Sequence, residues 1–143
     1  MHKITVQNAL TTSLSVPRVS DLKQWAKTAL LNRSPKGEVT IRVVEKNEIQ
    51  QLNATYRHKD KPTNVLSFPY EPPLIGDIVI CAAVVKEEAL LQNKQENAHW
   101  AHMVVHGILH LLGYDHENDA DAERMESEEV KILTELGFPN PYK

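Results

Sequence analysis

The sequence predicts an α+β fold: one small mixed sheet of about four strands with helices packed on it, and a three-histidine metal site on one helix and its following turn. Three observations carry this. Segments of strand and helix character interleave as far as Ala82, and only helices follow. The stretch EVTIRVVE (38–45) alternates Val39, Ile41 and Val43 with polar partners, as a half-buried strand does. The chain has 143 residues, the length of one ordinary domain, so residues 1–143 are expected to share one core. A chain of this length buries roughly two thirds of its unfolded surface and needs no disulfide or metal merely to fold.

Taken in order, residues 3–8 (KITVQN) alternate as a first strand. Ser20 precedes DLKQWAKTALL, in which Leu22, Trp25, Ala26, Ala29 and Leu30 fall at helical spacing. The reading is an amphipathic helix capped by Ser20, with Asp21 in its first turn and Pro35 and Gly37 breaking it. The strand 38–45 and a short helix over roughly 47–55 come next. RHKDKPTNVLSFP (57–69) begins as a polar loop, becomes a strand over VLSF and stops at Pro69; EPP (71–73) extends another loop. GDIVICA (76–82) is nearly continuous in apolar residues, which fits a central strand. Residues 84–95 and 96–113 read as two helices, the second closed by Gly113. Asn118 or Asp119 caps a last helix to Leu136, where Gly137 and Pro139 stop it. The first helix joins two strands by a crossover, which favours a parallel pair there.

Composition narrows the function classes. With 41% hydrophobic and 24% charged residues the chain reads as globular rather than disordered. Net charge is −3 but uneven: Asp115, Glu117, Asp119, Asp121, Glu123, Glu126, Glu128 and Glu129 face only Arg124 within 115–129. A globally basic nucleic-acid binder is excluded, and any such binding has to be local. The lone Cys81 excludes an internal disulfide framework and Cys-based zinc fingers, fits a reduced, cytoplasmic setting, and reads as an inert core residue. No signal peptide is expected. Asn97 to Tyr114 lacks Asp, Glu, Lys and Arg and is just long enough to span a bilayer, but it carries His99, His102, His106 and His110. It is expected to be a buried helix with a polar stripe, with no membrane involved.

The chemistry concentrates in HGILHLLGYDH (106–116). His106 and His110 are four apart, so a helix places them on one face. Gly113 lets the chain leave the helix, and a tight turn there swings His116 back toward the other two rings. Three imidazoles from a helix and its following turn make a three-ligand zinc site with one open position. Nickel, copper and iron also accept imidazole. Two histidines at this spacing arise by chance in a His-rich helix; three with the intervening glycine at these offsets rarely do. His102 with His106 is another four-residue pair, but only 106/110 places Gly113 and His116 correctly, so His102 is read as a core residue or a neighbour of the ligands.

The spacing matches that of metzincin peptidases, except that their catalytic Glu after the first His is here Gly107. Zinc lowers the pKa of a water it holds, but an amide leaving group still needs a proton that this motif does not supply. A phosphodiester needs charge neutralisation and positioning instead. Arg57, His58, Lys59 and Lys61 cluster near by in sequence with only Asp60 opposing, and arginine holds a phosphate bidentately. A solvated charged loop is the plainer reading of such a run.

Together RHKDKPTNVLSFP, GDIVIC, HWAHMVVHGILHLLGYDH and the acidic helix closed by ELG resemble the YbeY family, bacterial metal-dependent endoribonucleases implicated in rRNA maturation. The resemblance covers roughly residues 38–142; the residues before them match only in strand–helix layout. It implies one α+β endoribonuclease domain with one zinc ion per chain on His106, His110 and His116, and a catalytic Arg57 at the head of the KDKPTNVLSFP loop. It implies processing of the 3′ end of small-subunit rRNA and ribosome quality control, hence RNA and the ribosome or its subunits as partners, in the cytoplasm. His58 departs from the family, where a small residue such as Gly is common.

Weaker candidates remain. Asp115 is placed to orient a ligand ring or simply to bond its own backbone in a turn. Lys59 and Lys61 are candidate phosphate contacts, and Met103 and Met125 read as packing. Two other classes compete: a ribosome-associated factor whose metal is structural, which a fourth ligand from Asp115 or His102 would favour, and a metal-dependent hydrolase of another substrate.

Overall fold

The computed structural model describes residues 2–34, 36–72 and 74–143. Alternation along the strands decides how the layers stack. In β2 (Gly37–Val44) the side chains of Val39, Ile41 and Val43 enter one core, and Val44 enters another. In β4 (Leu74–Cys81) Ile78 and Ile80 join the first core, while Val79 and Cys81 join the second. Both strands are thus covered on both faces, and both are internal: the sheet order is β1-β2-β4-β3, with β1 (His2–Asn8) and β3 (Val65–Pro69) at the edges. β1 and β2 are parallel, as are β2 and β4, while β3 runs antiparallel to β4. This is the expected α+β architecture, with a mixed four-stranded sheet, a parallel first pair and GDIVICA in the interior.

On the larger core lie α1 (Val19–Leu30), α4 (Glu96–Leu111) and α5 (Asp119–Glu135). The smaller face is covered by α2 (Lys46–Arg57), through Ile49 and Leu52. α3 (Ala82–Leu91) follows β4 without a loop. The centre of the molecule is α4, which packs on α1, α3, α5, β3 and β4. Trp100, Val104, Val105, Ile108 and Leu109 along it are almost wholly buried. Each such side chain contributes about 1.5–3 kcal/mol by leaving water. No described helix is long and apolar enough to cross a membrane.

Several boundaries differ from expectation. α1 starts at Val19 with Arg18 as its N-cap, because the Arg18 carbonyl already accepts from the Asp21 and Leu22 amides. Ser20 therefore sits inside the first turn and is not the cap. The same helix ends at Leu30 through a turn with Asn32 at φ +65°, ahead of Pro35, which lies outside the described residues, as does Pro73 of the EPP loop. α3 begins and ends earlier than the expected 84–95, because Ala82 and Val85 have core to bury while Leu90 and Leu91 are exposed. α2 runs on to Arg57, so this arginine closes a helix and does not stand in the loop. At the head of α5, Asn118 is the cap: its side chain accepts from the Asp121 amide at 2.9 Å.

Candidate metal centre and its cleft

The end of α4 is what assembles the histidines. After the cap residue Leu112, Gly113 takes φ +97°, a backbone state that disfavours any side chain. Its amide bonds the His110 carbonyl at 3.1 Å and the Tyr114 amide bonds the Leu109 carbonyl at 3.0 Å, the paired bonds of a Schellman motif. The chain so turned runs back alongside the helix. Asp115 then accepts the His116 backbone amide at 2.7 Å through Oδ1, which pins the residue carrying the third ring. Its carboxylate thus serves the turn and not a ring. The centroid separations are 4.7 Å for His106–His110, 5.1 Å for His110–His116 and 5.7 Å for His106–His116. One ring nitrogen from each lies within 4.8 Å of the others. Burial, and then the neighbouring His106 and His116, push the His110 pKa down to about 4, so this ring stays neutral with a free lone pair at ordinary pH.

Gly107 has a positive reason to be glycine. A Cβ there would stand 2.9 Å from Cγ2 of Ile78 on β4, so the missing side chain lets α4 press onto the sheet. The Ser67 hydroxyl on β3 donates to the Gly107 carbonyl at 3.1 Å across the same contact. The position where a metzincin carries its Glu thus faces the sheet, with no room for a carboxylate aimed at the histidines. The close approach also brings His106 and His110 beside β3. The resulting cleft of about 630 Å³ is walled by Thr63, Asn64, Val65, Ser67 and Pro69 on one side and by the histidine turn on the other.

Arg57, from the last turn of α2, lines this same cleft, whereas Lys59 and Lys61 do not. Arg18, Arg33, Arg42 and Arg124 each pair with a carboxylate, and Arg57 has no such pair among the described residues. Its guanidinium is exposed and free to take an anion. The chain gets past it by a left-handed residue, His58, at φ +58° and ψ +33°, after which the Lys59 amide bonds the Asn53 carbonyl at 3.2 Å.

The sequence reading missed one residue. Glu129 lies among the acids of 115–129, yet it is fully buried. Its Oε2 is 2.5 Å from Nδ1 of His106, and its Oε1 is 3.0 Å from Nε2 of His102. Burial pushes this carboxyl up, but the bonds from His102 and His106 outweigh it and hold it down at about 2. The signal was present: Met125, Glu129, Ile132 and Leu133 share one helical face, and it is the buried face of α5. His102 is buried, as expected, and its Nε2 also meets the Tyr142 hydroxyl at 3.2 Å. Neither His102 nor Asp115 stands as a fourth member of the 106/110/116 group. Cys81 is a buried free thiol whose pKa burial raises, and Met103 and Met125 are packing residues in the larger core.

The donor set fits a borderline metal ion. Three imidazoles converge, His110 is held neutral, and the Glu129 carboxylate takes up Nδ1 of His106, leaving Nε2 as the nitrogen of that ring not engaged by it.

A model of the family described as endoribonuclease YbeY matches residues 6–137. The chain belongs to the YbeY family. The match begins well before residue 38, so the family relationship includes the N-terminal strand and helix that carried no recognisable motif. A curated relative from Nitrosococcus oceani, named endoribonuclease YbeY, is 56% identical over 137 residues, covering 90% of either chain. The solution structure of TM1509 from Thermotoga maritima is similar at a TM-score of 0.67 and 31% identity, over 95% of this chain and 89% of that one. The family match thus spans nearly all of the α+β layout, and membership bears out the resemblance drawn from RHKDKPTNVLSFP and HGILHLLGYDH.

Proposed function

We propose that this protein is a metal-dependent endoribonuclease of rRNA maturation, holding one zinc ion per chain on His106, His110 and His116 and binding substrate phosphate through Arg57. The observation that carries this reading is that the three histidines and the unpaired Arg57 line one cleft. A relative more than half identical bears the name endoribonuclease YbeY, which supports the reaction class. When bound, zinc supplies Lewis-acid charge for a phosphoryl centre. The chain's own part is to bind and orient. Arg57 offers a planar fork to two phosphate oxygens and stabilises the charge that grows on them during displacement. The wall of Thr63, Asn64 and Ser67 sets how deep a strand can enter. With the Gly107 position closed against Ile78, no side chain there takes a proton. Asp115 and Glu117 line the same cleft, so Arg57 also offsets a field that repels a polyanion.

In its finer form the reading places the substrate at the 3′ end of small-subunit rRNA, with the ribosome or its subunits as partner in ribosome quality control, in the cytoplasm. Metal-loaded protein incubated with a defined single-stranded RNA and a DNA of the same sequence should cleave the RNA and spare the DNA. Mass analysis of the ends then shows whether a 2′,3′-cyclic phosphate forms, the mark of attack by the substrate's own 2′-hydroxyl. Equal cleavage of both, or of neither with metal bound, rejects the proposal.

A further inference from the structure

Behind His106, on the side away from the cleft, lies a polar network centred on a buried carboxylate and closed on its outer side by the half-exposed Tyr142, which the nuclease reading does not use. Both oxygens of the fully buried Glu129 are engaged: Oε2 with Nδ1 of His106, Oε1 with Nε2 of His102 and with the Tyr142 hydroxyl. Tyr142 comes from the tail beyond residue 137, past the end of the family match, and its ring packs edge-on against His102 at 5.4 Å. Lys94 fastens the same tail by donating to the Pro141 carbonyl at 2.8 Å.

A buried carboxylate is costly unless it is hydrogen-bonded throughout, so something has to be gained by keeping one here. Glu129 accepts the Nδ1 proton of His106, fixes that tautomer and sets the ring plane, which aims Nε2 at His110 and His116. It also places a full negative charge one ring away from the site of a divalent cation, where little water screens it. Tyr142 supplies the second donor to Oε1 and so holds the carboxylate in register.

We propose that Glu129 is a positioning residue for the metal centre, and that Tyr142 brings the C-terminal tail in as its support. The inference rests on the metal reading given above, with His106 as a ligand. The alternative is that Glu129 merely holds α5 to α4.

The test is cobalt(II) binding to the full chain at one fixed pH, read by chelator competition and by the visible spectrum. Glu129→Gln keeps the shape and can still accept from His106, but removes the charge. Affinity should fall about 10–100-fold, the range for losing an outer partner of a ligating histidine, and the ligand-field bands should shift. Tyr142→Phe keeps the ring and removes the hydroxyl, so a smaller fall in the same direction is expected. Met125→Ala, on the same buried face of α5, is the control for stability alone: it should lower the melting temperature of the metal-free protein while leaving affinity and spectrum unchanged. Wild-type affinity and spectrum in both Glu129→Gln and Tyr142→Phe overturn the proposal, as does an equal loss of affinity in Met125→Ala at matched melting temperature. If the unmodified chain binds no cobalt at all, the metal reading falls and this inference falls with it.

Discussion

The metal side of the cleft is the end of a buried helix, and the arginine that faces it comes from the end of a more exposed one. On the first, α4 is packed on α1, α3, α5, β3 and β4, Gly107 locks it to Ile78, and a Schellman turn returns His116 to the two helical rings. On the second, α2 stops at Arg57, and the chain leaves through a strained His58 into the polar run 59–63. The metal wall is thus set by packing, which resists change. The phosphate wall is set by a long side chain in water. Fixing an ion calls for sub-ångström geometry, whereas capturing a polyanion calls for reach and charge.

The largest effect tests the packed wall. His110→Ala should cost more than about a hundredfold in metal affinity, beyond the range for losing an outer partner, because two imidazoles hold the ion poorly. Metal analysis of the folded variant checks this, and stoichiometric metal would reject His110 as a ligand. Chelating the unmodified protein should lower its melting temperature yet leave cooperative unfolding, since the core of α1, α4, α5 and the sheet does not depend on the ion. A ligand present at about a hundred times its Kd contributes only about 2.7 kcal/mol. A fully unfolded chelated protein would instead make the ion structural.

On the exposed wall, Arg57→Ala should leave metal content and melting temperature nearly unchanged and slow RNA cleavage by about a hundredfold, the scale for losing one preorganised charge-stabilising group. Arg57→Lys should recover part of it, because a point charge cannot reproduce the fork. Undiminished cleavage by Arg57→Ala would shift the role to Lys59 or Lys61.

How far each wall could be foreseen follows from the same contrast. The histidine spacing, Gly113 and a buried helix, here His99 to Leu111, were legible because helical periodicity and a glycine turn are local rules. Arg57 was legible as a residue but misplaced into a loop, since nothing in YRHKD marks where α2 ends. Its end depends on His58 accepting a left-handed backbone, which propensity does not foretell. Glu129 was hidden by its acidic neighbours: composition averaged over 115–129 masked the buried face on which it sits. The sheet order was not legible either, because it depends on which strands meet across α1, α2 and the loops.

Two smaller effects sharpen the comparison. Gly107→Ala puts a Cβ into Ile78 and should cost about 1–3 kcal/mol in denaturant unfolding, the usual range for overpacking a core. A neutral outcome would mean that α4 is not held tightly to β4. His58→Gly relieves a left-handed non-glycine residue and should add a few tenths to about 1 kcal/mol, with metal affinity unchanged. A loss of stability there would show that the His58 side chain makes a contact worth more than the strain.

The turn at Gly113 also bears on the order in which activity and ion would be lost as the protein opens. His106, His110 and His116 belong to one helix end and one loop, so bringing them together closes only a short length of chain and costs little entropy. Arg57 reaches the same place only when β3 and β4, which separate it from α4 in the chain, are paired in the sheet. A fluctuation that frays α2 while α4 stays packed would therefore keep the ion and drop the clamp. Amide exchange should report this as earlier deuterium uptake over residues 53–61 than over 104–112. Protein stored under mild stress would then retain its full metal content after its nuclease activity had begun to fade, and metal analysis alone would overstate how much of it still works.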